Sequence, residues 1–96
     1  MKQYDIVELF DAHVVILQDD GFDRTRSVIV APFISVARQV PFPIVTPEVE
    51  WSGDSYIVNM FEMFAAYRRD LGSTVGTVET HRHAIIDALD RLLVGL

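Results

Sequence analysis

The sequence predicts a mainly β (α+β) fold, short strands followed by one C-terminal helix. Through the first two thirds, the apolar residues are β-branched or aromatic, and turn formers recur about every eight to twelve residues. Gly72 and Gly76 then interrupt the chain. From Thr77 onward the apolar residues change to three- and four-residue spacing, the period of one helical face. The chain has 96 residues, 50% of them apolar and spread along its length, which suits one globular domain over 1–96.

Taken in order, segments 4–10 and 13–17 form a hairpin, and Asp19-Asp20-Gly21 supplies residues that tolerate turn conformations. Segment 27–33 is almost unbroken apolar and reads as a central strand, with Pro32 marking its end because proline cannot donate to a sheet ladder. Pro41, Pro43 and Pro47 hold the next stretch extended or at an edge. Trp51-Ser52-Gly53-Asp54 turns into a strand over 55–60, and 61–67 fits either a strand or a short helical turn. In the helix, Ile85, Ile86, Leu89, Leu92, Leu93 and Leu96 make the packed face, with Thr77 as N-cap and Glu79 in the first turn.

A net charge of −6 disfavours direct contact with nucleic acid, whose affinity comes from Lys and Arg displacing counterions. Arg24 with Arg26, and Arg68 with Arg69, read as solvated clusters, each able to hold one or two phosphates. The chain has no cysteine, which excludes a disulfide framework, a thiol nucleophile and a thiolate zinc site, and suits the cytoplasm. The first residues carry no apolar run of signal-peptide length, and no stretch reaches the roughly 20 apolar residues of a membrane span, so no membrane is expected.

No motif calls for a metal or cofactor. Asp19, Asp20 and Asp23 around Gly21 lack the spacing and closing Glu of a calcium loop. Gly72 to Thr77 lacks the lysine of a phosphate-binding loop. His13, His81 and His83 have no matching ligand set, and Ser52, Ser55 and Ser73 sit in no nucleophile motif.

Several blocks together resemble the CcdB family of toxins. From Trp51 to Leu96 the chain follows the family pattern without a gap: Asp54-Ser55, Tyr56, Met63, Gly72, Val75, and the run from Ile85 that ends in Gly95 plus one aliphatic residue. Upstream, Leu17 to Asp23 resembles the family's second strand and acid-flanked apolar loop. Val30-Ala31-Pro32-Phe33 and Phe42-Pro43-Ile44-Val45 continue the match.

The resemblance implies an SH3-like β-barrel with an additional small sheet, a C-terminal α-helix and a homodimer. It also implies a non-enzymatic toxin of a type II toxin–antitoxin system, which binds the A subunit of DNA gyrase, traps cleaved DNA and is neutralised by an antitoxin protein. By position, the gyrase contacts fall on Phe22, Asp90, Leu93, Val94, Gly95 and Leu96. Val94 stands where the best-known pattern has the tryptophan suited to stack on an arginine. From spacing alone, Leu93 and Leu96 are core residues and Gly95 is a C-cap. Two alternatives remain open: a ribonuclease toxin of the same fold, with Asp23, Arg24 and His13 in the acid–base and cationic roles, and a degenerate, non-toxic binding module.

Overall fold

The computed structural model describes residues 1–42 and 44–95, so Pro43 and Leu96 lie outside the described residues. The strands are β1 (Asp5–Leu9), β2 (Ala12–Ile16), β3 (Ser27–Ser35), β4 (Glu48–Trp51), β5 (Asp54–Val58), β6 (Phe64–Tyr67) and β7 (Leu71–Thr77), and the helix is α1 (Arg82–Leu93). They form a curled antiparallel sheet in the order β4-β5-β3-β2-β1-β7, with β6 also paired to β3. This is an SH3-like half-barrel, its small sheet made by β4, β5 and the end of β3, with one C-terminal helix. Two-residue turns close both hairpins, Phe10-Asp11 between Leu9 and Ala12 and Ser52-Gly53 between Trp51 and Asp54. The positive φ of Ser52 and Gly53, 52° and 84°, matches the right-handed twist of the flanking strands.

β3 organises the molecule. One edge pairs with β2; the other pairs first with β6, up to Val30, and then with β5, from Phe33. Pro32 therefore does not end the strand as the sequence suggests. It falls in the gap between β6 and β5, where its missing N–H leaves no ladder bond unmade, and its carbonyl accepts from the Asn59 N–H at 2.9 Å.

Gly72 and Gly76 likewise do not break the chain: both lie within β7. Gly76 is there because a Cβ at that position would come within 2.7 Å of Trp51 Nε1 and 3.3 Å of Ile6 Cδ1. Segment 61–67 resolves into a 3-10 turn, Met60–Glu62, followed by β6.

The sheet divides two clusters. Val7, Val14, Ile16, Val28, Val30 and Ala66 fill one, and Ile6, Val15, Phe33, Val58, Met60 and Ile85 are among those filling the other. The helix covers the second with Ile85 and Ala88 buried and with Leu89 and Leu92 packed at the margin. Its packed face is narrower than the spacing suggests, since Ile86 and Leu93 are exposed. The helix also begins later, at Arg82, and Thr77 instead accepts from the Glu79 N–H at 3.1 Å, at the start of the 3-10 turn Glu79–His81. That helix is not long and apolar enough to cross a membrane.

Candidate nucleic-acid interface

Because β3 and β6 run antiparallel, with Ser27 opposite Tyr67, the residues just before β3 meet those just after β6. Arg24 and Arg26 thus come beside Arg68 and Arg69. The junction is tied at several points. The Arg68 backbone N–H donates to the Arg26 carbonyl at 2.7 Å, and its Nε donates to the Thr25 carbonyl at 2.7 Å. Arg68 Nη2 reaches the Phe22 carbonyl at 3.4 Å and Thr25 Oγ1 at 3.3 Å. Gln18 Nε2 holds the same two acceptors at 2.8 Å each, so the 19–26 loop is fixed from both sides.

Arg24, Thr25, Arg26, Tyr67, Arg68 and Arg69 line an open groove of about 720 Å³. Arg24, Arg26, Arg68 and Arg69 are half of the chain's 8 Lys and Arg. Among the described residues none of them lies within ion-pair distance of a carboxylate. The guanidinium of Arg69 stands over the Tyr67 ring, 5.0 Å from its centroid, and that ring is itself exposed. Clustered guanidinium forks and an exposed ring are the elements that bind phosphate and stack on bases in single-stranded nucleic acid. Strand pairing merges the two clusters, and Arg24, Arg26 and Arg69 are exposed, as the reading of them as solvated expects.

Asp23 adjoins this groove: with Arg68 it lines a hollow that Phe22, Gln18 and Val28 also border. His13 does not join it. It sits on β2 near the other end of β3, edge-on to Trp51 at 5.5 Å, in a separate groove with Phe33, Ser35, Arg38 and Tyr56. The trio of Asp23, Arg24 and His13 is therefore not assembled; Asp23 and Arg24, neighbours in the chain, line two hollows that share Arg68. No group of acidic residues and histidines able to hold a metal occurs among the described residues.

The gyrase-contact residues inferred from the family fall in two places. Phe22, 63% exposed, lies in a 3-10 turn, Asp20–Phe22, at the edge of the arginine groove. Leu93 and Val94 are 69% and 64% exposed, and Gly95 ends the helix at φ 78°, a left-handed C-cap. The default reading of Leu93 as core thus fails, while that of Gly95 as a cap holds. Asp90 is exposed and borders a different groove with Ile44, Pro47, Asp87 and Arg91. Leu96 lies outside the described residues.

The family model for CcdB protein matches residues 5–95. The chain belongs to the CcdB family. No curated protein matches it significantly in sequence. Among solved structures it is similar to a chain described as an Mtb toxin, at TM-score 0.78 and 18% identity, over 90% of this chain and 97% of that one. It is also similar, at TM-score 0.77 and 13% identity, to an endoribonuclease solved in complex with its cognate antitoxin from a mycobacterial species. That match covers 100% of this chain and 96% of the other.

Two expectations drawn from the family resemblance and the net charge are corrected by this comparison. An endoribonuclease on the same fold overturns the inference that the fold implies a non-enzymatic protein. It equally overturns the exclusion of direct nucleic-acid contact, and the physical error is visible in the arginine groove: a net charge of −6 is an average that a local concentration of guanidinium groups escapes. Sequence reasoning noticed all four arginines but missed Thr25 and Tyr67. The available signal was the symmetry of two basic pairs flanking two short apolar strands.

Proposed function

We propose that this CcdB-family chain is the toxin of a toxin–antitoxin pair and that it acts on RNA at the arginine groove. The observation that carries the reading is the convergence of Arg24, Arg26, Arg68 and Arg69 around Tyr67 on an otherwise acidic protein. In this reading the guanidinium groups hold the scissile phosphate and its neighbour and stabilise the phosphorane, Tyr67 stacks a base, and Arg68 keeps the loop in place. Asp23, which lines the adjoining hollow with Arg68, supplies a carboxylate to take the proton of a 2′-hydroxyl; that oxygen then attacks phosphorus, and the 5′-oxygen leaves with a proton from water. The endoribonuclease of the same fold, solved with its antitoxin, supports both halves of the proposal.

A second reading, gyrase poisoning through the helix tip, is favoured by one observation, the exposure of Leu93 and Val94 at the end of α1. Purified protein incubated with RNA, and separately with gyrase and supercoiled plasmid, separates the two. RNA fragments that disappear in an Arg26→Ala variant support the first. Linearised plasmid with intact RNA sinks it in favour of the second.

A further inference from the structure

Resting on the RNA reading above, we infer that Phe22 is a second stacking platform, so that the site takes an unpaired strand with one base on Tyr67 and another on Phe22. Arg68 stands between the two rings: it lines the arginine groove with Tyr67 and the adjoining hollow with Phe22. Phe22 and Tyr67 are 63% and 57% exposed, so both rings offer a face to a ligand. Phe10, Phe42, Phe61 and Phe64 are exposed as well, but none of them lines the groove or the hollow. Position beside the guanidinium groups, not exposure, singles out Phe22.

The ring is held ready by its backbone. The Phe22 N–H donates to the Asp19 carbonyl at 3.0 Å, and its own carbonyl accepts from Gln18 Nε2 at 2.8 Å and from Arg68 Nη2 at 3.4 Å. The Asp19 carboxylate caps the same turn by accepting from the Gly21 N–H at 2.7 Å. A loop tied at these points loses little further freedom when a base settles on its ring, so the stacking energy is not offset by ordering the loop. Stacking needs a free base face, which a duplex hides between neighbouring pairs. Charge adds to the discrimination. Asp19, Asp20 and Asp23 line the hollow beside Arg68, and the second strand of a duplex would bring its phosphates toward these carboxylates.

The test uses the whole protein and a short labelled single-stranded RNA from which each base in turn is removed, with binding read by fluorescence anisotropy. Wild type is expected to lose affinity by about five- to a hundredfold at each of two positions, the range of one base–aromatic contact. Phe22→Ala should lose a similar factor on intact RNA and then be indifferent to base removal at one of the two positions, while Tyr67→Ala is indifferent at the other. Because stacking releases no counterions, Phe22→Ala should keep the wild-type slope of log K against log salt, whereas Arg26→Ala makes it shallower. Phe22→Trp keeps a π face and should bind at least as well as wild type. A duplex of the same sequence should bind wild type about tenfold more weakly than the single strand. A folded Phe22→Ala variant with undiminished affinity, equal binding of strand and duplex, or a wild type sensitive at one base position only would overturn the inference and leave the RNA reading standing. The scan on wild type decides this whether or not the alanine variant folds. RNA binding that is absent, or that is indifferent to Arg24→Glu with Arg26→Glu, would instead remove the RNA reading and the Phe22 platform with it.

Discussion

Arg68 and the Thr25 carbonyl it grips are 43 residues apart in the chain, whereas Leu93, Val94 and Gly95 are consecutive. The first region is polar, fixed by hydrogen bonds and built by tertiary structure. The second is apolar, exposed and built by one helix end. A local reading of the sequence finds the second kind of site and undervalues the first, because charge clusters acquire meaning only when the fold says which of them meet. Similarity in fold does not choose between them either, since unlike chemistries are grafted on one scaffold.

The sharpest way to break the comparison is charge reversal in the groove. Arg24→Glu with Arg26→Glu should lower affinity for a short single-stranded RNA on the order of 100-fold, about 2.7 kcal/mol, measured by fluorescence anisotropy. The exposed positions of both side chains mean that thermal unfolding should barely move. For the wild type, three or four bound phosphates give a slope of log K against log salt of roughly −2 to −3. A flat salt dependence would remove the groove from consideration and leave the tip as the functional region.

Next in size is Gly76→Ala. The added Cβ meets Trp51 Nε1 and Ile6 Cδ1, so β7 or the indole must shift, and urea unfolding should show a loss of about 1–3 kcal/mol. This position also shows where the sequence stops being legible. The first hairpin, the turn at Ser52-Gly53, the central strand and the terminal helix all follow from local pattern, whereas β4 does not. β7 does not, because its sequence, Leu-Gly-Ser-Thr-Val-Gly-Thr, looks like turn material until the close approach of Trp51 explains its glycine. The passage of β3 through Pro32 is hidden for the same reason: whether a missing donor matters depends on which strand lies beside it. Of the candidate sites, the tip was legible by position in the family. The groove was visible only as its unassembled halves.

Arg68→Lys tests whether the groove is a preorganised surface or a loose cluster of charges. The substitution keeps the charge but loses the planar fork that reaches the Thr25 and Phe22 carbonyls together. Loss of those bonds from a partly exposed junction should cost about 1 kcal/mol of stability and lower RNA affinity by about three- to tenfold. If affinity is unchanged, electrostatic attraction alone suffices and loop geometry does not contribute.

The smallest expected effect lies at the other region. Removing residues 94–96 takes away Val94, 64% exposed, and a capping glycine whose added Cβ would touch nothing within 4 Å. The helix remains anchored by Ile85 and Ala88, buried beneath it, and by Leu89 and Leu92 at the core margin. The truncated chain should therefore lose less than about 1 kcal/mol, the scale of a frayed last turn and its cap. RNA cleavage should be unchanged, because none of the residues lining the arginine groove is removed. Val94→Trp is the converse probe: it places a ring at an exposed helix end, and if gyrase is the target, a stacked guanidinium would raise affinity by roughly two- to thirtyfold, about 0.5–2 kcal/mol. A truncation that abolishes toxicity in cells while RNA cleavage persists would show that the tip, not the groove, is the part of this molecule that harms its host.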